Sequence, residues 1–364
     1  NLSLHLRRAN AMTDNGRRSR TPPGAATIFD PYMLMNGPNK KISNRLALYF
    51  DAAFLSVQEL PAQQPAERAV PLAGIHIRDP YILPVAGDST YYLFGTNQAD
   101  VLYRSKGFYC YASRDLKEWT GPYLAFVPDE GFWGGNNFWA AECHAYRDKY
   151  YLFATIRGKA DSLLGTAIFE ADTPRGPYRK HSKGRVTPED WNSLDGTLHV
   201  DRQGRPWMVF CHEWTQIGNG TVEAVRLKKD LSGPAGKPVT LFKASEAPWV
   251  RSHVPGEKLY VTDGPFLLRN SRGELLMLWS SFTDEGYAIG LARSRSGDIG
   301  GPWEQFPQPI FRRDGGHGMI LRTFDGRLLL SIHQPNRTPD ERTKLFPLRE
   351  TADGGLEIAG DALP

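Results

Sequence analysis

The chain has few cysteines, no long apolar run and little net charge. Three cysteines in 364 residues, Cys110, Cys143 and Cys211, are an odd number within strand-like segments, which is typical of buried reduced thiols and does not support a disulfide framework. No stretch of eighteen apolar residues is present to cross a membrane as a helix. A formal net charge of +4 gives no argument for binding nucleic acid. We therefore expect neither a nucleic-acid nor a membrane partner.

Long helical periodicity is missing as well. Short aromatic and branched runs such as "YYLFGT", "KYYLFATI" and "PWMVF" are instead bounded by Gly, Pro, Asp and Asn, as strands usually are. Five paired-strand segments each begin close to an acidic residue or a histidine. These leading residues are Asp79, Glu142, Asp195, Asp263 and His317. Their spacings of 63, 53, 68 and 54 residues indicate a repeat of roughly sixty residues.

A second signature follows the paired strands in three of the units. Gly121-Pro122, Gly176-Pro177 and Gly301-Pro302 each precede an aromatic residue and close a unit. Every unit then provides about four short strands. The sequence predicts an all-β fold, a five-bladed β-propeller over residues 69–364. Residues 1–68 begin with a basic polar stretch and end in a Pro-, Gln- and Ala-rich segment, so we expect an irregular N-terminal extension and linker there.

If each innermost strand starts at the same face of the channel, the five leading residues form a ring around its mouth. Carboxylates crowded into a partly desolvated funnel destabilise one another when ionised. The pKa of at least one of them is then raised, and an acid becomes available near neutral pH. For any single Asp, the alternative is that it caps a turn or a strand end. The recurrence at repeat positions favours the ring.

Five motifs in order carry a resemblance to a known family. They are "RDPYIL" at 78–83, "FWAAECH" at 138–144, "LDGTLHVDRQGRPW" at 194–207, "VTDGPFLL" at 261–268 and "DGGHGMI" at 314–320. The chain resembles glycoside hydrolase family 43, the five-bladed propeller enzymes that include β-xylosidases, α-L-arabinofuranosidases and arabinanases. The resemblance covers about residues 75–350. It implies an enzyme that removes arabinofuranose or xylose units from plant-type polysaccharides or oligosaccharides. We expect exo action rather than endo action, and a secreted or periplasmic location rather than a cytoplasmic one, although the sequence shows no signal peptide.

The resemblance also implies roles for the ring residues in an inverting reaction. Asp79 resembles the general base that activates water, Asp195 the carboxylate that tunes and orients the acid, and Asp263 the general acid. Family members usually carry Glu where Asp263 stands, and Asp is shorter by one C–C bond, about 1.5 Å. A deeper substrate, an inward backbone at Gly264, or help from Glu142 would each compensate for the shorter side chain.

Further expectations concern substrate binding and a metal. We expect Trp139, Glu142, Trp214 and His317 to contact the sugar. In the resembled family a histidine of the His317 motif often faces a central calcium whose other ligands are largely water, which makes His317 a candidate calcium contact. The alternative function is a propeller that binds carbohydrate without cleaving it, which the shorter acid at position 263 permits.

Overall fold

The computed structural model describes residues 68–97 and 107–363. The extension predicted for residues 1–68 therefore lies outside the described residues except for its last position. The first described blade carries an additional short strand, β1, on its outer edge, in the order β1-β5-β4-β3-β2. Its strands are β1 (Val70–Pro71), β2 (Ile77–Val85), β3 (Thr90–Asn97), β4 (Phe108–Ser113) and β5 (Glu118–Phe126).

Four further antiparallel sheets follow, and each is built from four consecutive strands. Blade two contains β6 (Gly134–Tyr146), β7 (Lys149–Gly158), β8 (Leu164–Ala171) and β9 (Arg179–Arg185). Blade three contains β10 (Ser193–Val200), β11 (Pro206–His212), β12 (Thr221–Arg226) and β13 (Val239–Lys243). Blade four contains β14 (Asp263–Arg269), β15 (Leu275–Thr283), β16 (Gly286–Ser294) and β17 (Trp303–Gln305). Blade five contains β18 (Gly316–Arg322), β19 (Leu328–Gln334), β20 (Arg342–Glu350) and β21 (Leu356–Ile358).

The helical content of the described residues is small. One short α-helix, α1 (Trp214–Ile217), follows β11, and two 3₁₀ turns cover Leu72–Gly74 and Ala244–Glu246. The Gly-Pro pairs at 121, 176 and 301 lie in or just before the fourth strands of their blades, β5, β9 and β17, of which β5 is covered by β1. The prediction of an all-β, five-bladed propeller is confirmed.

Hydrophobic packing between neighbouring blades holds the ring together. Phe153 of blade two packs in one cluster with Phe210 of blade three, and blades three and four share a cluster that contains Val209 and Trp279. Because their middle strands are covered on both faces, these strands are apolar at almost every position, as in β15. The three cysteines are free and buried, as expected.

The innermost strand of every blade contains a bulge at the same structural position. The pairing between the first two strands shifts register there in all five blades, and the residue at the shift has a positive φ. These residues are Asp79 (52°), Ala140 (44°), Asp195 (59°), Gly264 (53°) and His317 (40°). A bulge re-aims side chains, so it determines which ones point into the channel mouth.

The five bulges correct the predicted ring in two places. Asp79, Asp195 and His317 occupy equivalent positions, but Asp263 lies one residue before its bulge and Glu142 lies two residues beyond Ala140. The sequence spacing could not separate these cases, because the repeat is irregular in length. Three of the five expected ring members are therefore structurally equivalent.

Candidate active site

One cavity of ≈ 560 Å³ brings together most of the predicted site residues. The predicted residues that line it are Asp79, Trp139, Asp195, Trp214, Asp263 and His317. Asp79 and Asp195 reach it from bulges in β2 and β10, and Asp263 is the first residue of β14. Carboxylates of three different blades thus share one concave site, the kind of arrangement in which acid and base roles can be divided.

Asp79 is held by hydrogen bonds on both its side chain and its backbone. Its Oδ2 accepts a hydrogen bond from the Thr96 hydroxyl (2.7 Å), and its backbone N–H donates to Nδ1 of His333 (3.2 Å). Burial raises the pKa of Asp79, but His317, His333, Arg78 and the Thr96 hydroxyl together lower that pKa below its ordinary value. Asp79 is therefore ionised at neutral pH and able to accept a proton.

His333 fixes this environment as a neutral imidazole. Burial lowers its pKa to about 3. Because Nδ1 accepts the Asp79 N–H, the proton lies on Nε2, which donates to Oδ1 of Asn336 (3.1 Å). The same Asn336 oxygen accepts a hydrogen bond from Arg78 (2.7 Å). His333 and Asn336 of blade five thereby orient the start of β2, and His333 does so as an uncharged side chain.

The pKa values of Asp195 and Asp263 are shifted in the direction opposite to that of Asp79. Burial and the neighbouring Asp79 raise the pKa of Asp195 well above its ordinary value, although its Oδ2 accepts the Gly264 N–H (3.0 Å). Burial and the neighbouring Asp195 likewise raise the pKa of Asp263, whose Oδ2 accepts a hydrogen bond from the Tyr287 hydroxyl (2.8 Å). Crowded carboxyl groups of this kind cannot all be ionised, so a proton is retained among them near neutral pH.

His317 lies between the two bulge carboxylates. Its Nδ1 is 3.4 Å from Asp79 Oδ1 and 3.5 Å from Asp195 Oδ2. Its ring also packs against Gly264, where a Cβ atom would lie 2.7 Å from the imidazole. The histidine therefore separates the carboxylates of blades one and three and sets the space available between them.

Aromatic side chains line part of the cavity. Trp214 belongs to α1, and its ring lies 5.1 Å from that of His253, which in turn lies 4.5 Å from Phe282. Trp139, half-buried on β6, also lines the cavity. Flat apolar rings next to carboxylates suit a ligand with both apolar faces and hydroxyl groups.

Glu142 is not among the residues that line this cavity. It is buried deeper along β6, where its Oε2 lies 3.0 Å from Nε2 of His144 and the Tyr81 hydroxyl lies 3.2 Å from Nδ1 of the same ring. A contact of Glu142 with the substrate therefore stays a prediction, and in this structure its carboxylate lies two residues beyond the bulge at Ala140.

A fourth carboxyl group in the cavity was not expected. Glu213 follows β11 directly and lines the same space as Asp263. Burial raises its pKa, although the hydroxyl and backbone of Thr215 and the charge of Arg157 oppose the increase. The repeat pattern singled out only the innermost strand of each unit and passed over the end of the second strand. The signal present was an acidic residue immediately before Trp214 in "CHEW".

The donor set around His317 does not form a calcium cage by itself. Calcium takes six to eight oxygen ligands, whereas the described residues contain no group of three or more His, Cys, Asp or Glu arranged to hold a metal ion. A cation next to His317 would need water for most of its ligands. No reaction step is assigned to one.

Comparisons with known proteins agree with the fold and with the motifs. The family model described as "Glycosyl hydrolases family 43" matches residues 70–355. A solved structure of an endo-arabinase from Bacteroides thetaiotaomicron is 40% identical, with a TM-score of 0.73 and coverage of 79% of this chain and 98% of that one. An endo-1,4-beta-xylanase structure from the same organism is 25% identical, with a TM-score of 0.64 and coverage of 79% and 96%.

A curated relative gives a further comparison. The extracellular endo-alpha-(1->5)-L-arabinanase 1 of Bacillus subtilis is 26% identical over 207 residues, which are 54% of this chain and 61% of the relative. The match thus spans less than two thirds of that protein. In the described part of the chain, no helix has the length and apolar character needed to span a membrane. With the family model covering most of its length, the chain belongs to family 43 of the glycosyl hydrolases.

Proposed function

We propose that this protein is an inverting glycoside hydrolase acting on glycans that contain arabinose or xylose. The observation that carries the proposal is the division of protonation among the cavity carboxyl groups. Asp79 has a lowered pKa, whereas Asp195 and Asp263 have raised ones. A carboxylate that accepts a proton and a carboxylic acid that retains one are the two groups that hydrolysis with inversion requires.

The reaction follows from these two groups. Asp79 removes a proton from a water molecule while the oxygen of that water attacks the anomeric carbon. The bond from that carbon to the leaving oxygen breaks, its electron pair stays on the oxygen, and a protonated carboxyl group of the cavity supplies the proton. The resemblance to the family alone would assign this acid to Asp263. Solvent then returns the proton gained by Asp79 to the acid, so the two products together contain one added water.

The substrate class rests on the relatives and on the wall of the cavity. Trp139 and Trp214 offer faces on which a sugar ring can stack. The names of the similar proteins favour arabinan, with xylan as the second choice. Those names describe endo-acting enzymes, whereas exo cleavage is our expectation for this chain. Whether cleavage is endo or exo is therefore the first property to determine.

Hydrolysis is tested with a panel of linear arabinan, xylan and aryl pentosides. We expect release of pentose or short oligosaccharides from at least one of them, and proton NMR of the first product should show the anomer opposite to that of the substrate. A rapid fall in arabinan viscosity before free sugar appears indicates endo cleavage. Free arabinose from the start indicates exo cleavage. Binding without any product would contradict the proposal and favour the carbohydrate-binding alternative.

We also propose a secreted or periplasmic location. The name of the Bacillus subtilis relative describes an extracellular protein, and polymeric glycans are found outside the cell. Cell fractionation with antibody detection tests this proposal, and recovery in the cytosolic fraction alone would contradict it.

Calcium at His317 is a separate proposal with its own prediction. A ligand that binds only the folded state raises the melting temperature by mass action. We therefore expect exhaustive chelation to lower the melting temperature and added calcium to restore it, while His317→Ala abolishes the calcium response. An unchanged melting temperature in protein that metal analysis shows to be empty would remove calcium from the site.

A further inference from the structure

We propose that Glu213, and not Asp263, donates the proton to the leaving group. This assignment rests on the proposed hydrolase function and deepens it. Asp263 occupies the family's acid position with a side chain that is one bond too short. Glu213 lines the same cavity and supplies the longer carboxylic acid from the neighbouring blade three.

The backbone of Glu213 is fixed from both sides. Its N–H donates to the carbonyl of Asn192 (2.8 Å), and its carbonyl accepts the N–H groups of Gln216 (3.0 Å) and Ile217 (3.3 Å) as α1 begins. The next residue is Trp214, the aromatic side chain that lines the cavity from α1. A sugar stacked on Trp214 would therefore lie close to an acid whose main chain has little freedom.

The side chain of Glu213 is oriented by a relay of hydrogen bonds. The Asn192 side-chain amide donates to the Thr215 hydroxyl (3.0 Å), and that hydroxyl donates to Oε2 of Glu213. Donors linked in this way hold the Oε2 oxygen of the carboxyl group against the protein. A proton donor needs such positioning, because proton transfer requires approach to about 2.6–3.2 Å.

Asp263 is engaged in a different way. Its short side chain accepts the Tyr287 hydroxyl at 2.8 Å, and burial keeps that phenol protonated by raising its pKa well above the usual range. The family's assignment would require this carboxyl group to reach the leaving oxygen from the first residue of β14. With Glu213 as donor, Asp263 is instead a second carboxyl group of the cavity, held by the Tyr287 hydroxyl.

Burial favours a protonated Glu213. It is 7% exposed and burial is the largest influence on its pKa, which is raised. The acidic groups whose pKa values Glu213 in turn raises are Asp195, Asp263 and Cys211. Arg157 is the cation that opposes the increase. Burial is the influence that favours the neutral carboxylic acid of Glu213.

The first experiment compares leaving groups. We expect Glu213→Gln to lower kcat/KM by about 10²- to 10⁴-fold on arabinan oligosaccharides but by less than about tenfold on a dinitrophenyl pentoside, whose leaving group needs little protonation. The matched control is Glu189→Gln, an exposed glutamate outside the cavity that should leave both rates unchanged. The same pair of substrates is then measured with Asp263→Asn, for which we expect a loss independent of the leaving group.

The second experiment keeps every carboxyl group and shifts one pKa at a time. The Thr215 hydroxyl lowers the pKa of Glu213, and the Tyr287 hydroxyl lowers that of Asp263. Since activity is lost as the acid ionises, Thr215→Val should move the alkaline limb of the kcat/KM profile to higher pH. Tyr287→Phe should leave the position of that limb unchanged, whatever its effect on the rate.

Each contrary outcome has a distinct meaning. A limb that moves with Tyr287→Phe but not with Thr215→Val, or leaving-group dependence in Asp263→Asn but not in Glu213→Gln, would return the role of acid to Asp263 and overturn this inference alone. A wild-type protein that cleaves none of the substrates would contradict the proposed function, and this inference with it.

Discussion

Asp79→Asn is expected to reduce turnover more than any other single substitution in the cavity, at the upper end of the about 10²- to 10⁴-fold range of general-base catalysis. An amide cannot accept the proton of the attacking water, yet it keeps the size of the carboxylate and can still accept the Thr96 hydroxyl. Substrate binding should therefore persist. Steady-state kinetics and isothermal titration with the best substrate measure the two effects separately.

The same substitution has a pH-dependent effect on stability. Because the pKa of Asp79 is lowered on folding, its carboxylate stabilises the fold above its unfolded pKa, and this contribution is lost as pH falls through the folded pKa. The melting temperature of Asp79→Asn should thus fall below that of the wild type at neutral pH and converge with it in acid. Asp148→Asn, in the exposed turn between β6 and β7, is the matched control. Normal turnover in a folded Asp79→Asn protein would refute the assignment of the base.

Gly264→Ala is expected to damage both stability and activity. Gly264 has φ +53°, a conformation that costs a residue with a Cβ about 1–3 kcal/mol. Its new methyl group would also lie 2.7 Å from the His317 ring, which must then move. Since His317 lies between Asp79 and Asp195, a shift of about 1 Å there should lower kcat by about 10²-fold. Thermal unfolding and steady-state kinetics measure the two losses.

Substitution of a glycine that has no close neighbours distinguishes the effect of backbone strain from the effect of displacing the His317 ring. Gly204, in the turn between β10 and β11, has φ +72°, and a Cβ atom added there would meet no other atom within 4 Å. Gly204→Ala should therefore lose stability through its backbone alone and keep the wild-type kcat. If Gly264→Ala matched Gly204→Ala in both measurements, the His317 ring would not control the spacing of the carboxylates.

The repeat pattern predicted the blades because strand chemistry is local. Aromatic and branched runs, turn residues and the regular return of a leading residue can all be read without knowing any contact. The equivalent positions of Asp79, Asp195 and His317 could be predicted for the same reason, because in these three blades the residue with an ionisable side chain is also the residue at the bulge.

The remaining parts of the site depend on geometry that the sequence does not display. Ala140 holds the bulge of blade two but carries no reactive group, so the nearby Glu142 was taken in its place. Glu213 lies at the end of a second strand, and only the packing of blade three against blade four brings it beside Asp263. Register shifts and inter-blade contacts are tertiary properties, and a pattern of residue types contains no measure of either.

Because blade five holds Asp79, the active site can be completed only late in synthesis of the chain. Asp79 belongs to the first blade to leave the ribosome, whereas His317, His333 and Asn336 belong to the last. A nascent chain with four complete blades would already contain all four cavity carboxyl groups, as well as Arg78 and Thr96, yet its base would lack the histidines of blade five that help to keep it ionised and oriented. Catalytic competence would then arise in a single late step, when the fifth blade closes against β2, and not in proportion to the length of chain already folded.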